Sequence, residues 1–332
     1  MKHSFIGIKF RLTYLIVAGI LLFTSCKKDL PPTCDPGVLV AGYESNGENT
    51  VAKCWVNGTE VVLSDGTRNA KANSIFAAGT NVYAAGEDGG PVYWKNGAEI
   101  PLTHIGSSAT ANSIYISGSN IYIAGTDNFK AVYWKNGTEI ILNGTQATSV
   151  FVTHGDVYIA GQDINLPVYW KNGAKVVLTP TVVYGEIANS IYVSASDVHT
   201  VGFVFGPITQ PVYWKNGIRG SLGSGFPGLA EAVFVSGSDV YAAGEQADPS
   251  IFTGRFDAVY WKNGIEIKLT TGAPSSGRGN SIYVSAGNIY TAGYYSSGVA
   301  GTTQTACYWK NTTKIDLTDG SRNAAATSVF IR

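Results

Sequence analysis

The chain has 332 residues, with 23 basic and 23 acidic side chains, and charged residues make up only 14% of it, against about a quarter in ordinary domains. It has 40 glycines and a single methionine. This composition excludes a helical bundle and a coiled coil, and a nucleic-acid binder would need a basic face. The abundance of Tyr, Val, Ile and Gly predicts an all-β chain of short strands and tight turns.

At the N-terminus, Lys2, Lys9 and Arg11 lead into an apolar run, Leu12 to Phe23, followed by Thr24-Ser25-Cys26. This is a secretory signal pattern, and the run is shorter than the about 20 apolar residues a membrane span needs. The Phe-Thr-Ser-Cys segment resembles the lipobox of bacterial lipoproteins. That resemblance implies that residues 1–25 are a lipoprotein signal peptide and that Cys26 is lipidated and begins the mature chain. An ordinary signal peptide cut nearby is the alternative. Loss of residues 1–25 removes three basic and no acidic side chains, leaving a net charge of −3.

Residues 26–36 follow as a tether. Pro31, Pro32 and Pro36 make it stiff and unable to pair into a sheet. Ser-Cys-Lys-Lys-Asp resembles lipoproteins of the Bacteroidota, in which a charged stretch after the Cys goes with export to the cell surface. The resemblance implies a lipid anchor in the outer membrane, facing outward.

From residue 37 to 332 the chain repeats. All seven tryptophans, at 55, 94, 134, 170, 214, 261 and 309, fall in one motif, typified by Val-Tyr-Trp-Lys-Asn-Gly. A second motif, typified by Asn112-Ser-Ile-Tyr-Ile-Ser-Gly-Ser-Asn-Ile-Tyr-Ile-Ala-Gly125, alternates with it in six full copies. The seventh copy is split: Val38-Leu-Val-Ala-Gly42 opens the repeats and Thr327-Ser-Val-Phe-Ile331 ends them. Each unit therefore holds four strand-like runs. Asn-Gly between alternating runs is a strong hairpin signal, because a type I′ turn needs two residues at positive φ. The last copy has Asn311-Thr312 instead, which predicts a looser turn.

Seven units of four antiparallel strands predict a seven-bladed β-propeller. The split copy predicts closure, with a C-terminal strand joining the N-terminal blade. Parallel β-helices and solenoids are the alternative, but they need no split repeat. The pattern also resembles the HAF-type extracellular repeat, in the order Trp134-Lys135-Asn136-Gly137, Leu142, Ala147 and Tyr158-Ile159-Ala160-Gly161. This resemblance covers residues 38–331. It implies an extracellular propeller and brings no catalytic residues.

Binding residues concentrate on loops over a rigid scaffold. The long variable loops follow the second strand on three consecutive blades. They supply the ligand-binding candidates Phe203 and Phe205, then Glu245, Asp248, Phe252, Arg255, Phe256 and Asp257, then Tyr294 and Tyr295. Tolerated insertion is the other reading of these loops.

Carboxylates recur after the second strand at Glu44, Glu87, Asp88, Asp127, Asp163 and Glu245. Two at a fixed separation would serve a glycosidase, but a solvated rim explains their repetition. His104, His154 and His199 occupy different repeat positions, so no metal site and no cofactor is expected, and no catalytic residue is singled out. The Lys of each Tyr-Trp-Lys reads as a solvated residue beside a turn. The charged position after each Asn-Gly lies opposite Trp, as Glu99 faces Trp94, which packs Trp under a long side chain. Repeated sugar platforms are the alternative use of the Trp residues.

Cys34, Cys54 and Cys307 remain beside the proposed anchor in an oxidising compartment. Cys54 and Cys307 stand one position apart in their motifs and so point to opposite blade faces. A Cys54–Cys307 disulfide stapling the closing seam, a Cys34–Cys54 bond and three free thiols are the open alternatives. The functional expectation is a cell-envelope lipoprotein whose propeller binds a glycan or protein ligand. The alternative is a propeller glycosidase or lyase acting on extracellular polysaccharide.

Overall fold

The computed structural model describes residues 1 and 37–332, except 107, 182–183, 224, 249–254, 271–274 and 298–302. The expected signal peptide, Cys26, the tether, Cys34 and Phe252 lie outside the described residues.

The described chain is all β: seven sheets of four antiparallel strands. Blade 1 takes residues 38–62 with 324–331; blades 2 to 7 are residues 70–101, 109–141, 146–177, 186–221, 228–268 and 275–316. In blade 3 the strands are Ala109–Ser117, Asn120–Asp127, Lys130–Lys135 and Thr138–Ile141. The first strand of every blade packs against the first strands on either side, so these strands line the axis. Each seam between blades holds its own apolar cluster, which is why both parities of a strand are apolar.

The Asn-Gly pairs form the turns that the sequence predicts. Asn136 sits at φ 53° and Gly137 at φ 83°. The Asn side chain has a second task. Asn136 Oδ1 accepts from Ile121 N at 2.9 Å and Nδ2 donates to Asn120 Oδ1 at 2.8 Å, so one residue ties the third strand to the start of the second. At Asn311 only the first residue is left-handed, at 58°. The strand register is kept, and only the Nδ2 bond, to Asn288, lengthens to 3.2 Å.

A β-bulge in each first strand determines the rest. The register shifts at Ala111/Ser113, leaving Asn112 unpaired on the ladder; an inserted residue of this kind bends the strand and re-aims a side chain. Asn112 Nδ2 therefore reaches the next blade, donating to Ala147 O at 2.8 Å. Ser113 Oγ accepts from Val150 N at 3.2 Å. The same pair of bonds recurs at six seams. At the seventh, between blades 6 and 7, Glu231 and Ala232 replace Asn and Ser.

Three positions below this belt, seven aromatic side chains close a ring around the axis: Phe76, Tyr115, Phe151, Tyr192, Phe234, Tyr283 and Phe330. Neighbouring centroids are 4.6–5.1 Å apart and tilted by 43–58°. The tilt is close to the seventh of a turn that relates adjacent blades, so each blade presents its ring in the same attitude.

Closure follows the split repeat. Ala324–Ile331 pairs antiparallel with Val38–Ser45, from Val38↔Ile331 to Glu44↔Ala324. The seam disulfide, one of the three open readings, is corrected by the structure: among the described residues Cys54 and Cys307 are both free thiols. Cys54 packs with Ala70, Ala72 and Trp94 of blade 2, and Cys307 with Tyr241 and Ala243 of blade 6. Trp faces the preceding blade and its Tyr neighbour the following one, so both cysteines point away from the closing seam. Burial pushes the Cys54 thiol up to about 12 and that of Cys307 well above the ordinary range. Since the thiolate is the reactive form, iodoacetamide at pH 8 should leave both unmodified in native protein and alkylate both in urea. Mass spectrometry of the two tryptic peptides reads the result.

Candidate functional site

The two faces of the ring differ. One carries the short Asn-Gly and Ser-Gly hairpins. The other carries the connections after the second strand and the blade-to-blade loops, and large apolar side chains are exposed there. Ile105, Phe129, Ile164, Tyr184, Phe205, Ile208 and Phe226 are all exposed, and they follow one another over blades 3 to 6 on this loop face. Apart from Met1, the other exposed large apolar residues, Val62, Ile141, Val176, Ile218 and Ile265, sit singly on outermost strands.

Two of these residues are held in costly conformations. Asn128 and Phe129 form a two-residue tip with φ 48° and 61°, and Ile164 in the next blade has φ 58°. A β-branched residue there is an outlier, at a cost of order 1–3 kcal/mol. Ile164 is held by its N–H, which donates to Thr145 Oγ1 at 3.0 Å. Phe129 is 79% and Ile164 72% exposed, so no packing gain offsets the strain. Between them lies a cleft of about 470 Å³ floored by Thr110, Thr126, Thr145 and Gln146. A second cleft, about 460 Å³, lies over blade 5, walled by Tyr184, Phe205 and Ile208 with Glu186 and Arg219 at its base. Arg219 Nη1 donates to Glu186 Oε1 at 2.7 Å, so this base is neutral as a pair.

The residues singled out in the sequence fall in several places. Phe205 is exposed in the second cleft, and Phe203 is half-buried against it, edge to face at 4.9 Å. Asp257 is buried and accepts from Arg255 Nη2 at 2.6 Å and Lys268 Nζ at 2.9 Å. Lys268 also lies 3.5 Å from Asp248. Phe256 is half-buried at the start of its strand, its carbonyl accepting from Ser276 Oγ at 2.8 Å. This group clamps the base of the blade 6 loop.

Glu245 is buried at the seam between blades 6 and 7, where Arg278 donates Nε and Nη2 to it at 2.7 and 2.8 Å. Arg278 Nη1 also reaches Glu231 Oε1 at 3.2 Å, so an ion-pair bridge spans the seam that lacks the Asn and Ser bonds. Burial raises the Glu231 carboxyl above its ordinary range, and Arg278 opposes this in part. Tyr294 faces the same cluster, its hydroxyl also raised by burial. Tyr295 points to the other side of the strand and lies beneath Lys314, whose Nζ is 3.2 Å from the ring centroid.

Five of the six rim carboxylates depart from the solvated reading, Glu87 being the exception. Asp88, Asp127 and Glu245 are buried. Asp88 pairs with Arg68 at 2.5 Å, Asp163 with Lys175 at 2.6 Å, and Glu44 with Lys53. Asp127 accepts from the backbone of Ile105 and Gly106 at 2.6 and 2.9 Å. These side chains fix the loop bases. The sugar-platform reading of the tryptophans also ends here, since all seven are at most 1% exposed. Trp134 Nε1 donates to Thr103 O at 2.6 Å, pinning a blade-to-blade loop.

Sequence reasoning missed Phe129 and Ile164 because their loops are short. The signal was the turn chemistry: two-residue tips favour Asn-Gly, and these hold Asn-Phe and Ile-Asn.

These features define a closed seven-bladed propeller with an apolar loop face. No family profile matches the chain, and no curated protein matches it. Among solved structures it is similar to Drosophila Semaphorin 1b, extracellular domains 1-2, with a TM-score of 0.40 and 8% identity over 59% of this chain and 51% of that one. The chain thus spans about half the length of that structure.

Proposed function

We propose that this chain is a lipid-anchored protein of the cell envelope, held at the outer membrane through Cys26, whose propeller binds a protein ligand on its loop face over blades 3 to 6. The carrying observation is the run of seven exposed apolar side chains on that one face. Exposed apolar side chains gathered on one face mark an interaction site, and strain at Phe129 and Ile164 that packing does not offset fits residues positioned for a partner. A protein ligand fits better than a glycan. Sugars stack on flat aromatic faces, whereas here four aromatic side chains are interspersed with three isoleucines and every Trp is buried. The HAF-type pattern and the lipobox resemblance support the extracellular placement.

A photo-crosslinking residue at position 129, in cells, should give a discrete adduct, and one at Ile218 on an outermost strand should not. Phe129→Ala with Ile164→Ala should weaken capture of the crosslinked partner by at least tenfold, as loss of buried anchor residues does. Phe129→Gly relieves the φ strain and should leave the thermal midpoint unchanged or higher. Glycan-array binding that Phe129→Ala abolishes would instead assign the face to a sugar.

A further inference from the structure

The hairpin face carries one lysine per blade from blade 2 to blade 7: Lys95, Lys135, Lys171, Lys215, Lys262 and Lys310, each just before its turn. Their surroundings divide them. In blades 4, 5 and 6 the second strand begins with Asp156, Asp197 and Asp239, and each pairs with its lysine at 2.9, 2.7 and 2.8 Å. These ion pairs hold the three aspartates below the usual carboxylate range. In blades 2, 3 and 7 the same position is Asn81, Asn120 or Asn288. There the lysine lies over a tyrosine ring, Lys95 over Tyr83, Lys135 over Tyr122 and Lys310 over Tyr290, at 5.6, 5.6 and 5.8 Å, a contact that Lys171 and Lys262 also make in addition to their ion pairs. Among the described residues, none of these three lysines forms an ion pair.

The uncompensated lysines are not scattered. Blades 7, 1, 2 and 3 are consecutive around the ring, so the positive charge occupies one arc of the face and the neutral pairs occupy the opposite arc. Blade 1 stands inside the positive arc. It has Val56 in place of the lysine, and it is where the described chain begins: Val38 N donates to Asn57 Oδ1 at 2.8 Å, and Arg332 N to Gly37 O at 3.1 Å. Arg332 adds a guanidinium there, its Nη2 donating to Gly79 O at 2.8 Å. Gly37, to which residues 26–36 are joined, therefore lies at the hairpin face, on the blade between those that carry the unneutralised lysines. In residues 26–36, Lys27 and Lys28 are balanced by Asp29 and Asp35, so the attraction rests on the ring.

We infer that the positive arc of the hairpin face, Lys95, Lys135 and Lys310, docks on an anionic phospholipid surface beside the tether. This rests on the lipid-anchor reading for the placement near a membrane, though the arc itself does not depend on lipidation. Each lysine near an anionic bilayer contributes roughly fivefold to partitioning, so three supply on the order of a hundredfold. Docked this way, the loop face points away from the bilayer, toward a partner.

The test uses residues 26–332 carrying Cys26→Ser, unlipidated, because the ring closes within residues 38–331. Flotation with vesicles of phosphatidylcholine containing 30% phosphatidylglycerol should show binding that pure phosphatidylcholine lacks and that 0.5 M NaCl abolishes. Lys95→Gln, Lys135→Gln and Lys310→Gln together should lower the partition coefficient by about a hundredfold. Asp156→Asn, Asp197→Asn and Asp239→Asn together unmask the other three lysines and should raise it. Equal binding to neutral vesicles, binding unmoved by salt, or indifference to the first triple variant overturns the proposal. The anchor is tested separately: Cys26→Ala in cells should release the protein from the membrane fraction, and its retention there would defeat the anchor without touching the vesicle result.

Discussion

Deletion of Thr327–Arg332 should abolish cooperative folding. The lost segment makes most of the ladder with Val38–Ser45 and also bonds across two seams, to blade 2 and to blade 7. Thr327 Oγ1 donates to Ala72 O at 2.6 Å, Ser328 Oγ accepts from Ile75 N at 3.2 Å, and Val329 N donates to Ser281 Oγ at 3.1 Å. Phe330 joins Phe76 and Tyr283 in the axial ring at 4.7 and 5.1 Å. Without it, Val38–Ser45 becomes a bare inner edge and the flanking blades lose their neighbour, and an exposed edge strand of this kind promotes association. The expected readouts are loss of a sharp calorimetric transition and aggregation on purification. Thr327→Ala removes one bond and should cost only about 1 kcal/mol. A truncated chain melting like the intact one would mean that the ring does not depend on this strand.

Gly125→Ala should destabilise the protein by more than about 4 kcal/mol, a size confined to severe core lesions. A Cβ at Gly125 would sit 2.0 Å from Thr110 O and 2.7 Å from the Trp134 ring. Neither can yield: Thr110 is fixed in the ladder beside the bulge, and Trp134 is fully buried and tied through its indole N–H. The equivalent glycines of the other six blades meet backbone oxygen at 1.9–2.2 Å, so the effect should recur around the ring. Gly137→Ala is the contrast. Nothing lies within 4 Å of its added Cβ, but its φ is 83°, so only backbone strain of about 1–2 kcal/mol applies. Urea unfolding of the two variants separates steric from conformational cost, and equal losses would refute the bulge argument.

The sites were less legible than the fold. Phe205 was visible because its loop is long, and it does line a cleft. Glu245 and Asp257, which the sequence assigned to an equally variable loop, lie on strands with Arg255 beside them, and their charges are consumed by Arg278, by each other and by Lys268. Loop length marks where a chain varies, and it does not reveal which side chains neutralise one another. Phe129 and Ile164 were hidden in two-residue tips that length alone passes over.

The sequence by itself determined the number of blades, the four-strand order, the turn at each Asn-Gly and the closure by a split repeat. These follow from local chemistry: alternation of period two, positive φ at Asn-Gly, and a repeat cut between its first and second strands. Only the tertiary structure decided the sense in which the ring runs. That sense follows from the twist of strands and the packing of whole blades, and it turns Cys54 toward blade 2 and Cys307 toward blade 6 rather than toward each other. It likewise decided that most of the rim carboxylates are taken up by a cation or by backbone N–H groups and that apolar tips from four blades share one face. It also placed the blades whose second strand opens with Asn around the point where the chain enters the ring. Each of these depends on distances between residues far apart in the chain, and no single repeat contains that information.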